Sequence, residues 1–446
     1  MDDYKLDFPA GFLWGTATAA HQVEGGNENN DWWAWEQVPG RIKDAGRSGL
    51  ASDWWHRAEE DLATAAALGQ NSHRLSLEWS RLEPIEGAWD EAAASRYRQI
   101  ITFMRAHALR PMITLFHFTL PLWLSERGGW ENEQTVGAFL RFVERVIDSF
   151  GDLCDLWCTF NEPMLYCTYG YLFGLWPPGS GGGSAARVAL RHMSTAHRMA
   201  YEVLHRRQPH AMVGIAKHLR PFDPANPRRW ADRAAAKVLD HLFNEAELAA
   251  FTEGELLFPF GRQLRSHGPA VLADFVGLNY YSRDMVAFDL RHKDEFFLHR
   301  FANPASDFSM EGWGEIYPEG LYWALVRLAE YGRPIYLTEF GIPDNEDRKR
   351  PRFLVTHVAQ MHRAITEGVP LRGGYFWSLV DNFEWAAGWS ARFGLIALDP
   401  ATQARRLTRS AEVYRRIATA NGLESSLVAE VAPDLVATLN PVQKAM

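Results

Sequence analysis

The stretch LWCTFNEP, residues 156–163, holds the pattern that decides the fold: a short apolar run that ends in Asn161 and Glu162. Similar β-rich segments recur near residues 12–18, 73–78, 110–117, 212–218, 275–281, 334–339 and 373–379. Near-continuous apolar strands separated by helical stretches are typical of a parallel sheet that helices cover. Eight such units close a barrel, so the sequence predicts an α/β fold, a single (β/α)8 TIM barrel with extended βα loops.

Amphipathic helices separate the predicted strands. From Val136 to Phe150 apolar residues recur at i, i+3, i+4 and i+7, and Gly151 closes the pattern. Another helix is expected after Asp90, a good N-cap residue, because its apolar residues share one face. The Gly-rich segment 177–184 lies between the fourth strand and a helix, so it is predicted as a βα loop at the barrel mouth.

The rest of the chain is predicted to complete one domain over residues 1–446. The segment 283–312, which is charged and aromatic, is predicted as a further long loop. Residues 421–446 have no strong pattern and are expected to form a C-terminal tail that packs on the barrel or stays mobile. No repeat and no second domain are visible in the sequence.

The composition limits the classes of function. The 446 residues carry a net charge of −9 with an isoelectric point near 6.0, so no basic surface for nucleic acid is expected. The start, MDDYKLDFPAGF, lacks the basic and apolar regions of a secretory signal, and no apolar run approaches the roughly 20 residues that span a bilayer. We therefore expect a cytoplasmic protein without membrane insertion and with a small neutral substrate, while its oligomeric state stays open.

Cysteine and tryptophan usage adds further expectations. Cys154, Cys158 and Cys167 are odd in number and lack CxxC spacing, so reduced thiols are expected. No His/Cys pair has zinc-ligand spacing, and we predict no metal and no cofactor. The 18 Trp favour a carbohydrate site, because flat aromatic faces bind the apolar faces of sugar rings.

Polar residues at the predicted strand ends indicate the chemistry. The C-terminal ends of barrel strands form the catalytic mouth, and here they carry Gln22, Arg74, His117, Asn161, Glu162, Asn279, Tyr281, Glu339, Trp377, Glu384 and Trp385. Glu162 follows the fourth strand and Glu339 ends the seventh, roughly opposite each other in the ring. Two carboxyl groups that face across a pocket are what glycoside hydrolysis requires.

Six strings in order resemble glycoside hydrolase family 1, the β-glucosidase family, over nearly the whole chain. They are FLWGTATAAHQVEG (12–25), HRLSLEWSR (73–81), TFNEP (159–163), GLNYYS (277–282), LTEFG (337–341) and WSLVDNFEWAAGW (377–389), followed by RFGL (392–395). The resemblance implies hydrolysis of β-D-glucosides, and also of β-D-fucosides and β-D-galactosides, through a covalent glycosyl-enzyme. It makes Glu339 the nucleophile and Glu162 the general acid/base, with their carboxyl groups roughly 5–5.5 Å apart.

The resemblance also implies roles for the other candidates. Arg74 and Tyr281 would support the ionised nucleophile, and Asn279 would hold the acid/base region or the sugar's 2-hydroxyl. The sugar itself would be bound by Asn161 at hydroxyl 2, by Gln22, His117, Glu384 and Trp385 at hydroxyls 3, 4 and 6, and by Trp377 beneath the ring. Phe118 stands where the family has a Trp, and Phe340 where it has an Asn.

Three alternatives to simple hydrolysis remain at this point. A 6-phospho-β-glycosidase would need a pocket for a dianion, which a negative Glu384 would repel. A non-catalytic sugar-binding barrel would typically lack one carboxylate, whereas this chain keeps both. Transglycosylation onto an alcohol or lipid acceptor would use the same residues, so the sequence does not distinguish it from hydrolysis.

Overall fold

Eight parallel strands form a closed barrel in the computed structural model, which describes residues 3–261, 271–310 and 312–440. The strands are β1 Leu13–Ala17, β2 Ser72–Ser76, β3 Arg110–Phe116, β4 Leu156–Asn161, β5 Met212–His218, β6 Phe275–Tyr280, β7 Ile335–Phe340 and β8 Leu371–Trp377. Each strand pairs with its neighbours in chain order, and β8 pairs with β1. The predicted strands and the TIM-barrel class are confirmed.

The barrel strands are covered on both sides, which explains their apolar sequences. Between β3 and β4, Ile113 pairs with Trp157 and Phe116 with Phe160. Every residue of β4 is buried. A strand that meets side chains on both faces has no solvent side, so its sequence does not alternate between apolar and polar residues.

A long helix follows each barrel strand. These helices are α1 Trp54–Ala67, α2 Glu91–Ala106, α3 Gln134–Phe150, α4 Gly183–Arg207, α5 Trp230–Asp240, α6 Pro318–Ala329, α7 Arg350–Thr366 and α8 Arg409–Ala420. The predicted N-cap Asp90 accepts hydrogen bonds from two amides of α2 at 2.9 Å. Helix α3 buries its apolar stripe, and Phe142 stacks on Trp79 with ring centroids 4.9 Å apart. Burial of one such phenylalanine contributes about 1.5–3 kcal/mol, so this face holds the helix on the barrel.

Short elements fill the connections. The short α-helices are Ala20–Val23, Asp31–Glu36, Trp79–Leu82, Leu122–Ser125, Pro163–Tyr166, Ala246–Leu248, Ser425–Val431 and Val436–Leu439. Single turns of other helix types are Gly129–Glu131, Cys167–Leu172, His241–Glu245, Ala249–Glu253, Lys293–Glu295, Trp385–Ala387 and Pro433–Leu435. A small two-stranded sheet joins Ile396–Leu398 to Arg405–Leu407. The Gly-rich segment 177–184 leads from the β4 side into α4, as predicted.

The segment 283–312 is not the plain loop that the sequence predicts. Asp284–Phe288 and Leu298–Phe301 pair antiparallel, and Phe222–Pro224 lies parallel to the first of them. We call residues 284–301 the rim hairpin, because they follow β6 at its C-terminal end. Val286 is buried with Ala235 and Ala236 of α5. The charged residues of the turn hide the strand pattern in the sequence. The strands form because these few apolar residues are buried against each other in the folded chain.

The predicted C-terminal tail packs on the barrel as far as residue 440. Gly422–Glu424 pairs antiparallel with Lys5–Asp7, and Leu423 lies opposite Leu6. Leu423, Leu427 and Val428 are buried in the apolar cluster that also contains residues of β7 and α7. Residues 441–446 of the tail lie outside the described residues.

The described residues also bear on the cysteine and membrane expectations. Cys154, Cys158 and Cys167 are free thiols and buried, as expected. Among the described residues, the helices are all too short or too polar to cross a bilayer.

Candidate active site

A cavity of about 470 Å³ opens at the C-terminal ends of the barrel strands. Most candidate residues line it: Gln22, His117, Asn161, Glu162, Tyr281, Glu339, Trp377, Glu384 and Trp385. Arg74 and Asn279 reach the same place from behind, where they hydrogen-bond to Glu339 and Glu162. The structure thus brings all the predicted site residues together, around a volume that suits a small ligand.

Two hydrogen-bond donors hold Glu339, near the end of β7. Arg74 Nη1 donates to Oε1 at 2.6 Å, and the Tyr281 hydroxyl donates to Oε2 at 2.5 Å. Glu339 is 4% exposed and Arg74 is 1% exposed. Because both oxygens accept hydrogen bonds, and one donor is a cation, the arrangement fixes the carboxylate and favours its ionised form.

Neutral groups surround Glu162, which follows β4 directly. Its φ of 45° lies in the left-handed region and turns the chain from β4 into the helix Pro163–Tyr166. Asn279 Nδ2 donates to Oε1 at 2.8 Å, and His218 Nδ1 lies 3.2 Å from the same oxygen. A left-handed residue other than glycine is uncommon and concentrates at functional sites. Among the residues that the structure describes, Glu162 thus differs from Glu339 in having no guanidinium as a hydrogen-bond partner.

Two asparagines connect the surroundings of the two carboxyl groups. Arg74 Nη2 donates to Asn161 Oδ1 at 2.6 Å, and Asn279 Nδ2 donates to the same oxygen at 3.1 Å. Thr338 Oγ1 donates to Asn279 Oδ1 at 2.7 Å, which fixes the orientation of that amide. The amide nitrogen of Asn161 lies 3.1 Å from His117 Nε2. Movement of any one of these groups would displace the others.

The two carboxyl groups interact electrostatically. Burial raises the pKa of Glu339 to about 7, the Arg74 guanidinium opposes this shift, and the charge of Glu162 adds to it. Burial also acts to raise the pKa of Glu162, but the charge and hydrogen bond of a protonated His218, together with Asn279, hold it below its ordinary value. Burial lowers the pKa of His218 itself. The imidazole is therefore neutral at neutral pH, where its charge no longer lowers the pKa of Glu162.

Polar groups on another side of the cavity are placed to bind hydroxyl groups. Gln22 Nε2 donates to Glu384 Oε2 at 3.1 Å. Burial raises the pKa of Glu384 to about 8, against a hydrogen bond from Trp377. Gln22 Oε1 and His117 Nδ1 are buried and have no hydrogen-bond partner among the described residues. Because buried polar atoms are normally paired, and both residues line the cavity, a hydroxyl-bearing ligand is a suitable partner.

The two departures from the family pattern lie in different environments. Phe118 lines the cavity, and its ring lies 5.3 Å from that of Trp385. Phe340 is fully buried between Phe353 and Phe376, with ring centroids 6.3 Å and 5.5 Å away. Its side chain thus belongs to the core, and the carboxylate of Glu339 keeps its two donors.

His218 is a site residue that was not predicted from the sequence. This residue is the last of β5, so the strand-end rule that found the other candidates applies to it as well. Its Nδ1 faces Glu162, it lines the cavity, and its Nε2 is buried without a partner among the described residues. Thr338, which positions Asn279, carries no sequence signal, because a threonine inside an apolar strand resembles ordinary packing.

Comparison with known proteins identifies the family of this chain. Residues 4–423 match the model of glycosyl hydrolase family 1. β-Glucosidase A of Thermotoga maritima is 33% identical, over 94% of this chain and 99% of its own. The structure of a β-glycosidase from Pyrococcus horikoshii superimposes with a TM-score of 0.88 at 36% identity, over 96% of this chain and 98% of the other.

A β-glucosidase from Thermotoga maritima in complex with galacto-hydroximolactam has a TM-score of 0.86 at 31% identity. It covers 94% of this chain and 99% of its own. The match spans the barrel, the strand-end residues and the loops that bear them. The chain belongs to glycosyl hydrolase family 1.

Proposed function

We propose that this enzyme hydrolyses β-D-glucosides, and also β-D-fucosides and β-D-galactosides, with retention of configuration. Glu339 is the nucleophile and Glu162 the general acid/base. The observation that carries the proposal is the unequal support of two buried carboxyl groups in one cavity. Arg74 and Tyr281 donate to Glu339, whereas the partners of Glu162 within the described residues are the amide of Asn279 and the imidazole of His218.

The unequal support determines which of the two carboxyl groups, Glu162 or Glu339, holds the proton in the resting enzyme. When Glu162 is protonated, its charge no longer raises the pKa of Glu339, and the Arg74 guanidinium stabilises the Glu339 carboxylate. If the proton moved to Glu339, the buried guanidinium would lose its anionic partner, which is costly in a low-dielectric site. With a neutral His218, the resting enzyme therefore carries its proton on Glu162. This is the state that the first chemical step requires.

The two steps use each carboxyl group in turn. In the first, the Glu339 carboxylate bonds to the anomeric carbon, the bond to the leaving oxygen breaks, and Glu162 gives that oxygen its proton. In the second, Glu162 takes a proton from water, the water oxygen bonds to the anomeric carbon, and Glu339 is released. Formation of the glycosyl ester removes the charge of Glu339, so Glu162 becomes easier to deprotonate and can act as the base.

The remaining candidates bind the sugar. Asn161, fixed by Arg74 and Asn279, is placed for hydroxyl 2, a contact that strengthens as the transition state gains positive charge. Gln22, His117, Glu384 and Trp385 are assigned to hydroxyls 3, 4 and 6, and Trp377 to the face of the ring. The unpaired Gln22 Oε1 and His117 Nδ1 support this assignment.

Separate observations disfavour two alternative functions and support the proposed location of the protein. The retention of both carboxyl groups disfavours a non-catalytic sugar-binding barrel. Glu384, where a 6-phosphate would lie, disfavours a 6-phospho-β-glycosidase, most strongly above its pKa of about 8. The buried free cysteines agree with a cytoplasmic location. We also propose that the chain functions as one catalytic domain.

A stereochemical experiment tests the proposed mechanism. Proton NMR during hydrolysis of a β-glucoside is expected to show β-glucose first and α-glucose only as mutarotation proceeds. Initial α-glucose would indicate inversion and a wider carboxyl separation than the roughly 5–5.5 Å that we predict. A panel of p-nitrophenyl β-glycosides, natural disaccharides and alkyl glycosides, analysed for transfer products, would rank the glycones and measure transglycosylation.

A further inference from the structure

Two histidines and a glutamate meet on the rim hairpin, away from the proposed catalytic residues. His292, Glu295 and His299 each offer a ligand atom, and these atoms all lie within 4.8 Å of one another. Glu295 Oε1 is 3.2 Å from His292 Nδ1 and 3.3 Å from His299 Nδ1. The two imidazole rings lie 3.6 Å apart and nearly parallel. Both nitrogens therefore point toward one carboxylate oxygen.

The two separations between nitrogen and oxygen fit neighbouring ligands of a tetrahedral metal site. Zinc binds imidazole nitrogen and carboxylate oxygen at about 2.0–2.2 Å, which places neighbouring tetrahedral ligands roughly 3.3–3.6 Å apart. Although the cysteine and histidine spacing predicts no metal, we propose that the rim hairpin binds one divalent transition-metal ion of the zinc class through His292, Glu295 and His299. A water molecule completes the coordination, since the three side chains are only partly buried.

Neighbouring groups favour this use of the three ligands. Glu295 Oε2 accepts the Arg300 amide at 3.1 Å, which fixes the carboxylate and leaves Oε1 for the ion. Metal binding through Nδ1 puts the imidazole proton on Nε2. For His292 this nitrogen lies 4.0 Å from Asp289 Oδ2, too far for a hydrogen bond, but the charge of the carboxylate favours a proton on Nε2.

The nearby cations are compensated by carboxylates of the same hairpin. The guanidinium of Arg291 contacts Asp289 at 2.6 Å, and that of Arg300 lies 3.9 Å from Asp284. Their charges therefore oppose a bound cation less than unpaired guanidinium groups would. Lys293 and Asp294, next to each other in the turn, have opposite charges.

A bound ion would fix the turn that carries two phenylalanines. Phe296 and Phe297 lie between Glu295 and His299 with φ values of 56° and 65°, which bulky residues rarely adopt. Phe296 contacts Phe173, with ring centroids 6.3 Å apart, in the β4α4 loop that also carries the cavity-lining Trp176. The ion would thus hold one side of the cavity entrance without taking part in the reaction.

Zinc titration of the untagged full-length protein tests the proposal. Isothermal titration calorimetry is expected to give one bound Zn²⁺, and Co²⁺ is expected to give the visible absorption of a tetrahedral site. His292→Ala and His299→Ala should each weaken binding by at least about 10- to 100-fold, and Asp289→Asn by a smaller factor. His241→Ala is the matched control, because His241 pairs with Glu245 at 2.9 Å but, among the described residues, belongs to no group of three ligands.

The outcomes separate this site from other zinc-binding groups. Retention of wild-type affinity in His241→Ala and its loss in the two hairpin variants would support the site. Unchanged binding in both hairpin variants, equal losses in all three, or no binding by the wild-type protein would overturn it. The kcat for p-nitrophenyl β-glucoside at saturating substrate, expected to be unchanged in all variants because the rim affects KM, confirms that each one is folded.

Discussion

The floor of the cavity and its rim differ in what fixes their side chains. At the floor, Asn161 and Glu339 belong to barrel strands and are 1% and 4% exposed. At the rim, Leu290 and Phe296 of the rim hairpin are 71% and 58% exposed. Backbone hydrogen bonds between the barrel strands fix the positions of the floor residues. The positions of the rim residues depend on a small sheet and a few ring contacts. We therefore expect the floor to set the reaction and the rim to set the preference among leaving groups.

The largest effect on activity is expected when either carboxyl group at the floor is removed. Glu339→Ala should lower kcat for every glycoside by about 10⁵-fold or more, the scale for loss of an enzyme nucleophile. Azide should restore turnover and give the α-glycosyl azide, because it enters on the face that Glu339 leaves open. Glu162→Ala should retain the first step for activated leaving groups, and azide should give the β product. NMR of the two products decides, and the reverse stereochemistry would exchange the two roles.

The charge of Glu384 should exclude phosphorylated sugars. Unmodified glucosides should exceed 6-phosphoglucosides in kcat/KM by at least about a hundredfold. Because burial raises the pKa of Glu384 to about 8, its carboxyl group gains charge as the pH rises, and the ratio should increase. The phosphate is already mostly a dianion above about pH 7, so it contributes little to this increase. Glu384→Gln should abolish the increase, and a ratio near one at all pH values would contradict the assignment.

Replacement of His218 should move the pH profile of the floor. The alkaline limb of kcat/KM reports loss of the proton from the general acid in the free enzyme. A neutral His218 can still donate its Nδ1 proton to the Glu162 carboxylate, so removal of this hydrogen bond should raise the pKa of Glu162 and shift the limb to higher pH, by up to about one unit. His218→Leu removes the hydrogen bond, whereas His218→Asn retains a donor near the Nδ1 position and should shift the limb less. An unmoved limb in His218→Leu would show that His218 only packs.

Replacement of Phe118 by tryptophan tests the effect of adding a hydrogen-bond donor to the floor. Phe118→Trp should improve kcat/KM for β-glucosides by a few-fold to about tenfold, because an indole N–H would reach hydroxyl 3. Crowding opposes this gain, since Trp176 lies 5.2 Å and Tyr166 5.9 Å from the present ring. A 3-deoxy glucoside is the control and should not improve. Equal gains on both substrates would mean that the indole acts by shape.

The rim should produce the smallest and most selective effect. Phe296→Ala should raise KM for aryl glucosides by about two- to fivefold, the loss expected for part of one aromatic contact. Glucosyl fluoride, which has no extended leaving group, should react at the wild-type rate. Phe118→Ala, a floor change, should affect both substrates. A Phe296→Ala defect that is equal for both substrates would show that the hairpin also shapes the floor.

Much of the floor could be predicted because strand ends are local features of the sequence. Asn161, Glu162 and Glu339 each follow or end an apolar run, and eight runs determine a closed ring. His218 obeys the same rule and was overlooked. The rim hairpin could not be predicted in this way, because its strands are short. Val286 is buried only through its packing against α5, which the local sequence does not show.

The sequence by itself determined the barrel, its strand order and the residues at the strand ends, since these follow from patterns between near neighbours in the chain. The family resemblance implied that Arg74 supports Glu339, but only the tertiary structure shows this contact and the partners of Glu162. Arg74 and Glu339 are 265 positions apart, and Asn279 lies 117 positions from Glu162. It also decided that Phe340 turns into the core and that His292 and His299 stack. These outcomes depend on burial and on distances across the fold, because the strength of a charge or hydrogen bond is set by what surrounds it.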